Sequence, residues 1–150
     1  MTIALTDQPF DPGELLTRFS AGRAETGAIA TFTGLARAEA GSTTILELEA
    51  YPGFTEARIA EIAEIARARF ELDDLMILHR VGAIAPGEPI VFVATAARHR
   101  RAAFEACDFL MDYLKSRAPF WKKERGPDGE RWIEPRAQDH ADIARWETTE

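Results

Sequence analysis

Lys115, Lys122 and Lys123 are the only lysines in the chain, and they lie within nine residues of one another in the stretch LKSRAPFWKKE, residues 114–124. The other fifteen basic residues are arginines. An arginine guanidinium keeps its charge, whereas a lysine ammonium gives up its proton when neighbouring cations or desolvation lower its pKa. A site that needs an amine as acid, base or nucleophile cannot replace it with arginine, and a site that needs only positive charge can. The confinement of lysine to one segment therefore points to proton-exchange chemistry there. The plainer alternative is a set of solvated surface cations.

A second basic run, RHRR at 98–101, sits where an apolar stretch gives way to a helical pattern. The free N–H groups and positive dipole at a helix start favour an anion, so basic side chains there are unfavourable unless an anion such as a phosphate is bound. Simple surface charge is again the alternative. Residues 98–136 carry a local charge of +3, which leaves −10 on the remainder of a chain whose net charge is −7. An acidic protein with one basic region suits a compact anionic ligand better than a long polyanion, and speaks against nucleic acid.

Other eye-catching residues read as structural. Cys107 falls on an apolar helical stripe with Phe104, Met111 and Leu114, which makes it a core thiol. His79 sits in an apolar strand and reads as a hydrogen-bonded structural histidine, and His140 reads as exposed. Trp121, Trp132 and Trp146 read as packing anchors, with Phe120 and Trp121 also placed to wall a pocket beside the lysines. One cysteine and three scattered histidines give no metal-ligand spacing and no disulfide framework.

The elements that must position these groups follow from pattern. With 150 residues the chain is expected to form a single domain, 1–150. It has neither a leader nor an apolar run near membrane-spanning length, and this predicts a soluble cytoplasmic protein with no membrane partner. Residues 27–36 read as a strand with Arg37 just beyond it, and 44–51 alternate as a half-buried strand. Ile59, Ile62, Ala63, Ala66 and Phe70 share one face of a helix. LMILHRVGAI (75–84) and PIVFVATAA (89–97) read as two further strands about a Pro86–Gly87 turn, the second apolar enough to be central. A helix over 99–118 ends at Pro119, a hairpin turns at 127–129, and 139–146 forms a short last helix. The mixture, without strict βαβ alternation, predicts an α+β fold.

Five ordered blocks carry a resemblance: TFTGLAR at 31–37, YPGFTEA at 51–57, LHRVGAIAPGE at 78–88, HRRAAFEA at 99–106 and MDYLKSRAPFWKKE at 111–124. Together they resemble the large, catalytic subunit of molybdopterin synthase, the MoaE family, from about residue 27 to residue 146. The first 26 residues are left without a role. The resemblance implies an α/β hammerhead with a mixed, largely antiparallel sheet packed against helices.

It also implies an activity: sulfur transfer that converts cyclic pyranopterin monophosphate to the dithiolene of molybdopterin, with no redox cofactor. The sulfur would arrive as a thiocarboxylate on the C-terminal Gly-Gly of a small ubiquitin-like (MoaD-like) carrier subunit. By position, Lys115 matches the family's central active-site lysine and Lys122 the second essential one. Leu35, Ala36, Arg37, His99, Arg100 and the segment Lys122, Lys123 and Glu124 match substrate-contacting positions, and Phe32 and Met111 match pocket-lining ones. Lysine often stands at the Leu35 position in the family, so any contact there falls to the backbone. The implied roles are a proton carrier for Lys115 and an anion or thiocarboxylate holder for Lys122, and the two are interchangeable at this stage. A catalytically silent pterin-binding or phosphate-ligand regulatory domain on the same fold is the alternative.

Arg100 and Lys115 lie fifteen residues apart on one expected helix, which separates their backbones by roughly 22 Å at 1.5 Å per residue. One small pterin does not bridge that span within a single chain. The expectation is a homodimer within a heterotetramer, its helices antiparallel, so that His99 and Arg100 of one copy complete a pocket built on the other copy's lysines.

Overall fold

The computed structural model describes residues 1–38, 44–134 and 137–147. One sheet is ordered β1 (Thr2–Thr6), β4 (Asp74–Arg80), β6 (Pro89–Ala97), β2 (Ala28–Leu35). β1 runs parallel to β4, and the other pairs are antiparallel. Strand β6 is apolar but for Thr95 because both of its faces are covered. Val91, Val93 and Ala97 join the core made with α2 (Phe54–Arg69) and α3 (Arg100–Ser116). Phe92, Ala94 and Ala96 meet Leu15 and Phe19 of α1 (Pro12–Ser20) on the other face. Thr95, fully buried between them, donates to the Ala103 carbonyl and ties the strand to α3.

The second sheet is ordered β5 (Gly82–Ile84), β3 (Ile45–Ala50), β7 (Phe120–Gly126), β8 (Gly129–Ile133), antiparallel throughout. Leu48 and Ile84 of this sheet pack with Ala36. The architecture is α+β, as expected, but with two sheets in place of one. The stretch read as a single strand over 75–84 is where the chain changes sheet. The Val81 N–H still donates to Thr6 in the first sheet, and Gly82, at φ +85°, turns the backbone into the second.

Helix α3 corrects a second expectation. Its buried residues are Ala103, Ala106, Cys107, Phe109, Leu110 and Leu114, and Phe104 is 61% exposed. At 100° per residue Phe104 stands about 120° around the helix from Leu110, outside the stripe that faces the sheet. Cys107 is a core thiol, as expected, and burial pushes its pKa up to about 12. Helix α4 (Ala137–Glu147) packs Trp146 edge-on to Phe70 and Phe109, while Arg145 bridges Asp108 and Asp112 of α3. The first 26 residues, unread in the sequence, supply β1 and α1, the helix capped by the Asp11 side chain on the Gly13 N–H.

Thr55, fully buried at the start of α2, accepts from the Tyr51 N–H at 2.9 Å and donates to the Pro119 carbonyl at 2.8 Å. One hydroxyl thus fastens the end of β3 to the bend between α3 and β7. Thr55→Val keeps the shape and leaves two part-buried backbone groups unpaired, so it should cost roughly 1–3 kcal/mol of stability. Chemical denaturation of the two chains measures this difference.

Candidate active site

The two sheets and the end of α3 enclose a cavity of about 530 Å³. Its position follows from three local decisions of the chain. Pro119 stops α3 just after Lys115, and the strand that begins at Phe120 turns alternate residues inward, so Phe120, Lys122 and Glu124 all line the cavity. A bulge at Gly34 and Leu35 shifts the register of β2 against β6 and brings Phe32, Leu35 and Arg37 to the same space. A side chain at Gly34 would meet the Val91 Cγ1 at 2.8 Å, so glycine permits the close approach. Ala36 is clamped from both sides: its N–H donates to the Glu88 carbonyl at 2.9 Å, and its carbonyl accepts from the Gly87 N–H at 2.7 Å. That clamp fixes the base of Arg37. Glu88 in turn holds the buried Arg80 guanidinium, which also donates to the Ala83 carbonyl.

The electrostatics centre on Lys122. Burial and the nearby Lys115 charge lower its pKa to about 8, partly opposed by Asp139 at the start of α4. Lys115 itself is exposed at the rim. Neither amine is ion-paired among the described residues, whereas Lys123 is bound to Glu130 at 2.7 Å and lies over the Trp132 ring. Glu124 faces the cavity with its carboxylate held by Arg131 at 2.9 Å.

The structure thus gathers Phe32, Leu35, Arg37, Met111, Lys115, Lys122 and Glu124 around one cavity. Ala36 stands behind it, buried. Lys123 points to the opposite face of β7, paired with Glu130, and does not line the cavity. His99 and Arg100 are exposed at the far end of the unbroken α3 and do not line the cavity. Phe120 walls it as expected, but Trp121 does not. That indole stands on the outer face with Tyr51 and Trp132, and both tryptophans are about half exposed, in contrast to the packed Trp146. His79, read as merely structural, lines the cavity and stacks on Phe120 at 4.2 Å. Its place in an apolar strand hid it, because a sheet change two residues on is not visible in hydropathy.

Burying an ammonium without a partner disfavours the folded state. Lys122 binds its proton more weakly folded, at about 8, than in the unfolded chain at 10.5. The resulting cost is complete below about pH 8 and disappears as the pH rises towards 10.5. Lys122→Met should therefore stabilise the protein at pH 7 by roughly 3 kcal/mol and have little effect above pH 10.5. Denaturant midpoints of the two chains at both pH values test the sign.

Residues 5–117 match the family model described as MoaE protein. The molybdopterin synthase catalytic subunit of Caulobacter vibrioides is 70% identical over 147 residues, covering 98% of each chain. Among solved structures, a molybdopterin biosynthesis MoaE protein from Burkholderia ambifaria superposes with a TM-score of 0.85 at 44% identity, covering 99% of each chain. Molybdopterin synthase from Staphylococcus aureus gives 0.78 at 29% identity, over 87% of this chain and 95% of that one. The similarity reaches further towards the N-terminus than the five sequence blocks, taking in β1 and α1.

Proposed function

The chain belongs to the MoaE family, and from that premise we propose that its cavity is where sulfur passes from a thiocarboxylate to cyclic pyranopterin monophosphate. The activity is that of a molybdopterin synthase catalytic subunit, a sulfurtransferase of molybdenum-cofactor synthesis. The observation that carries the site assignment is the convergence of Lys115, Lys122 and Arg37 on one cavity, with Lys122 at a pKa near 8.

Sulfur addition to the pterin side chain requires a proton to move, and opening the cyclic phosphodiester releases an anionic oxygen. Lys122 exchanges the proton, since an amine poised near neutrality serves either direction of transfer. Lys115 and Arg37 supply the fixed positive charge that holds the phosphate and the thiocarboxylate. Lys115 has a further effect, because its charge helps to depress Lys122. Relative to the roles implied by resemblance alone, the two lysines exchange places. The sulfur donor is the Gly-Gly thiocarboxylate of a small ubiquitin-like subunit, whose narrow tail suits a cavity framed by two sheets. The protein works in the cytoplasm, and among the described residues no helix is long and apolar enough to cross a membrane.

His99 and Arg100 enter the site from a second copy of the chain. Helix α3 is continuous from Arg100 to Ser116, so its head and tail stay roughly 22 Å apart. β2 is an edge strand of its sheet and carries the exposed Phe32 and Leu35 beside the cavity, an arrangement that favours docking on that side. Two such copies and two small subunits make the heterotetramer.

Mixing the purified chain with a thiocarboxylated small subunit and the cyclic precursor should yield dithiolene product. Lys122→Arg should abolish turnover, whereas Lys115→Arg, which keeps the charge, should retain part of it and Lys123→Ala most of it. The wild-type rate should rise with pH through about 8. In Lys115→Ala the midpoint of the residual rate should move upward, because one cause of the Lys122 depression is gone. Arg100→Ala and Lys115→Ala chains, each strongly impaired alone, should once mixed exceed the sum of their residual rates through heterodimers with one intact site, as read by the same dithiolene assay.

A further inference from the structure

His79 belongs to β4, in the first sheet, and its imidazole is 8% exposed. Its Nδ1 lies 2.8 Å from the Arg80 carbonyl oxygen. A carbonyl only accepts, so Nδ1 carries the hydrogen and the other nitrogen, Nε2, is left with a lone pair. The ring lies nearly parallel to Phe120, with centroids 4.2 Å apart and planes at 21°.

Nε2 has no hydrogen-bond partner among the described residues, yet it is not sealed inside the protein. The only buried side-chain nitrogen or oxygen without a partner among them is Arg80 Nε. Nε2 is therefore accessible, and the accessible space beside His79 is the cavity it lines with Lys115 and Lys122. The other side-chain nitrogens around that cavity belong to Arg37, Lys115 and Lys122, which as cations donate only, so His79 holds the one nitrogen there that accepts in every state of Lys122.

We propose that His79 is a specificity-determining residue that offers Nε2 as a fixed hydrogen-bond acceptor to an N–H or O–H group of the pterin. This rests on the functional reading above and deepens it by naming the group that reads the uncharged part of the substrate. The cationic side chains take the phosphate and the thiocarboxylate, and His79 takes a neutral donor. Burial, together with the Lys122 and Lys115 charges, lowers its pKa to about 4, against a backbone hydrogen bond to Arg80 that acts the other way. At neutral pH the ring stays an acceptor and does not become another cation. A site with a buried acceptor refuses an analogue whose matching donor has become a carbonyl or a methylated nitrogen, because the acceptor is then desolvated without a partner.

Two substitutions separate the two ring nitrogens. Asparagine places its amide near Nδ1, keeping the bond to Arg80 and losing the acceptor, and glutamine reaches far enough to put a carbonyl near Nε2. With the small subunit and cyclic pyranopterin monophosphate present, His79→Asn should raise KM about tenfold with kcat within about twofold. His79→Gln should recover most of that loss. Equal losses in the two variants, or a loss confined to kcat, would overturn the assignment. Nitrogen-15 spectra of the histidine-labelled full chain at pH 7 give a readout that a merely structural role would not move. The ring should show a protonated Nδ1 and a bare Nε2, and the Nε2 resonance should shift when the cyclic pyranopterin saturates the site. A protonated Nε2 in the free protein, or no shift at saturation, sinks the proposal even if wild-type turnover upholds the functional reading. A wild-type chain that neither binds nor converts the pterin sinks that reading, and this assignment with it.

Discussion

The constraint around which this structure is arranged is one ammonium group, Lys122, buried in a partly apolar cavity with a second, Lys115, exposed at its rim. Burial first, and then repulsion from the Lys115 charge, disfavour the ammonium form of Lys122. Left on flexible segments the two groups would separate. Lys115 is instead fixed to the last turn of α3, which Ala103, Ala106 and Leu110 anchor to the first sheet. Lys122 is fixed in β7, paired on one side with Leu48 and on the other with Ile133. Pro119 separates helix from strand, and the Thr55 hydroxyl holds the bend between them.

The division of labour between arginine and lysine follows from the same constraint. Arginines close the structural ion pairs: Arg80 with Glu88, Arg23 with Asp74, and Arg145 with Asp108 and Asp112. A planar, permanently charged fork suits those roles. The two lysines of the cavity are left without carboxylate partners among the described residues, and only Lys123, on the outer face, is paired. An ion pair would have restored the Lys122 pKa and, on the function proposed above, removed its usefulness. On that proposal the instability introduced there is the ordinary cost of a reactive group.

Much of this was legible in the sequence wherever one physical signal dominated. The run 89–97, apolar but for Thr95, marks a strand covered on both faces, and Pro119 marks the end of a helix whose last turn bears Lys115. The inward and outward alternation of Lys122 and Lys123 follows from their being neighbours in a strand. What escaped depends on partners distant in the chain. Residues 75–84 look like one strand because hydropathy does not report the positive φ of Gly82. Phe104 looks like core because a large apolar side chain weighs more in a pattern than the small Ala103 and Ala106 that make the contact. His79 acquires its significance only when Phe120, 41 residues further on, stacks against it. A lone histidine in an apolar strand carries no local mark of that.

The stack of His79 on Phe120 also joins the two sheets, since one ring belongs to β4 and the other to β7. β7 also carries Lys122, whose burial sets the electrostatics of the cavity together with the charge of Lys115 on α3, the helix packed on the first sheet. A shift of one sheet against the other would alter the aromatic contact and the distance between Lys115 and Lys122 together. The depressed Lys122 pKa is therefore a property of how the sheets are docked as much as of the residues around one nitrogen. The small alanines under α3, the Thr55 clamp and the Arg80–Glu88 pair resist that shift at separate points around the cavity. Rigidity is distributed over the fold because the depressed pKa of Lys122 requires its neighbours at fixed distances, and no single contact among them supplies that.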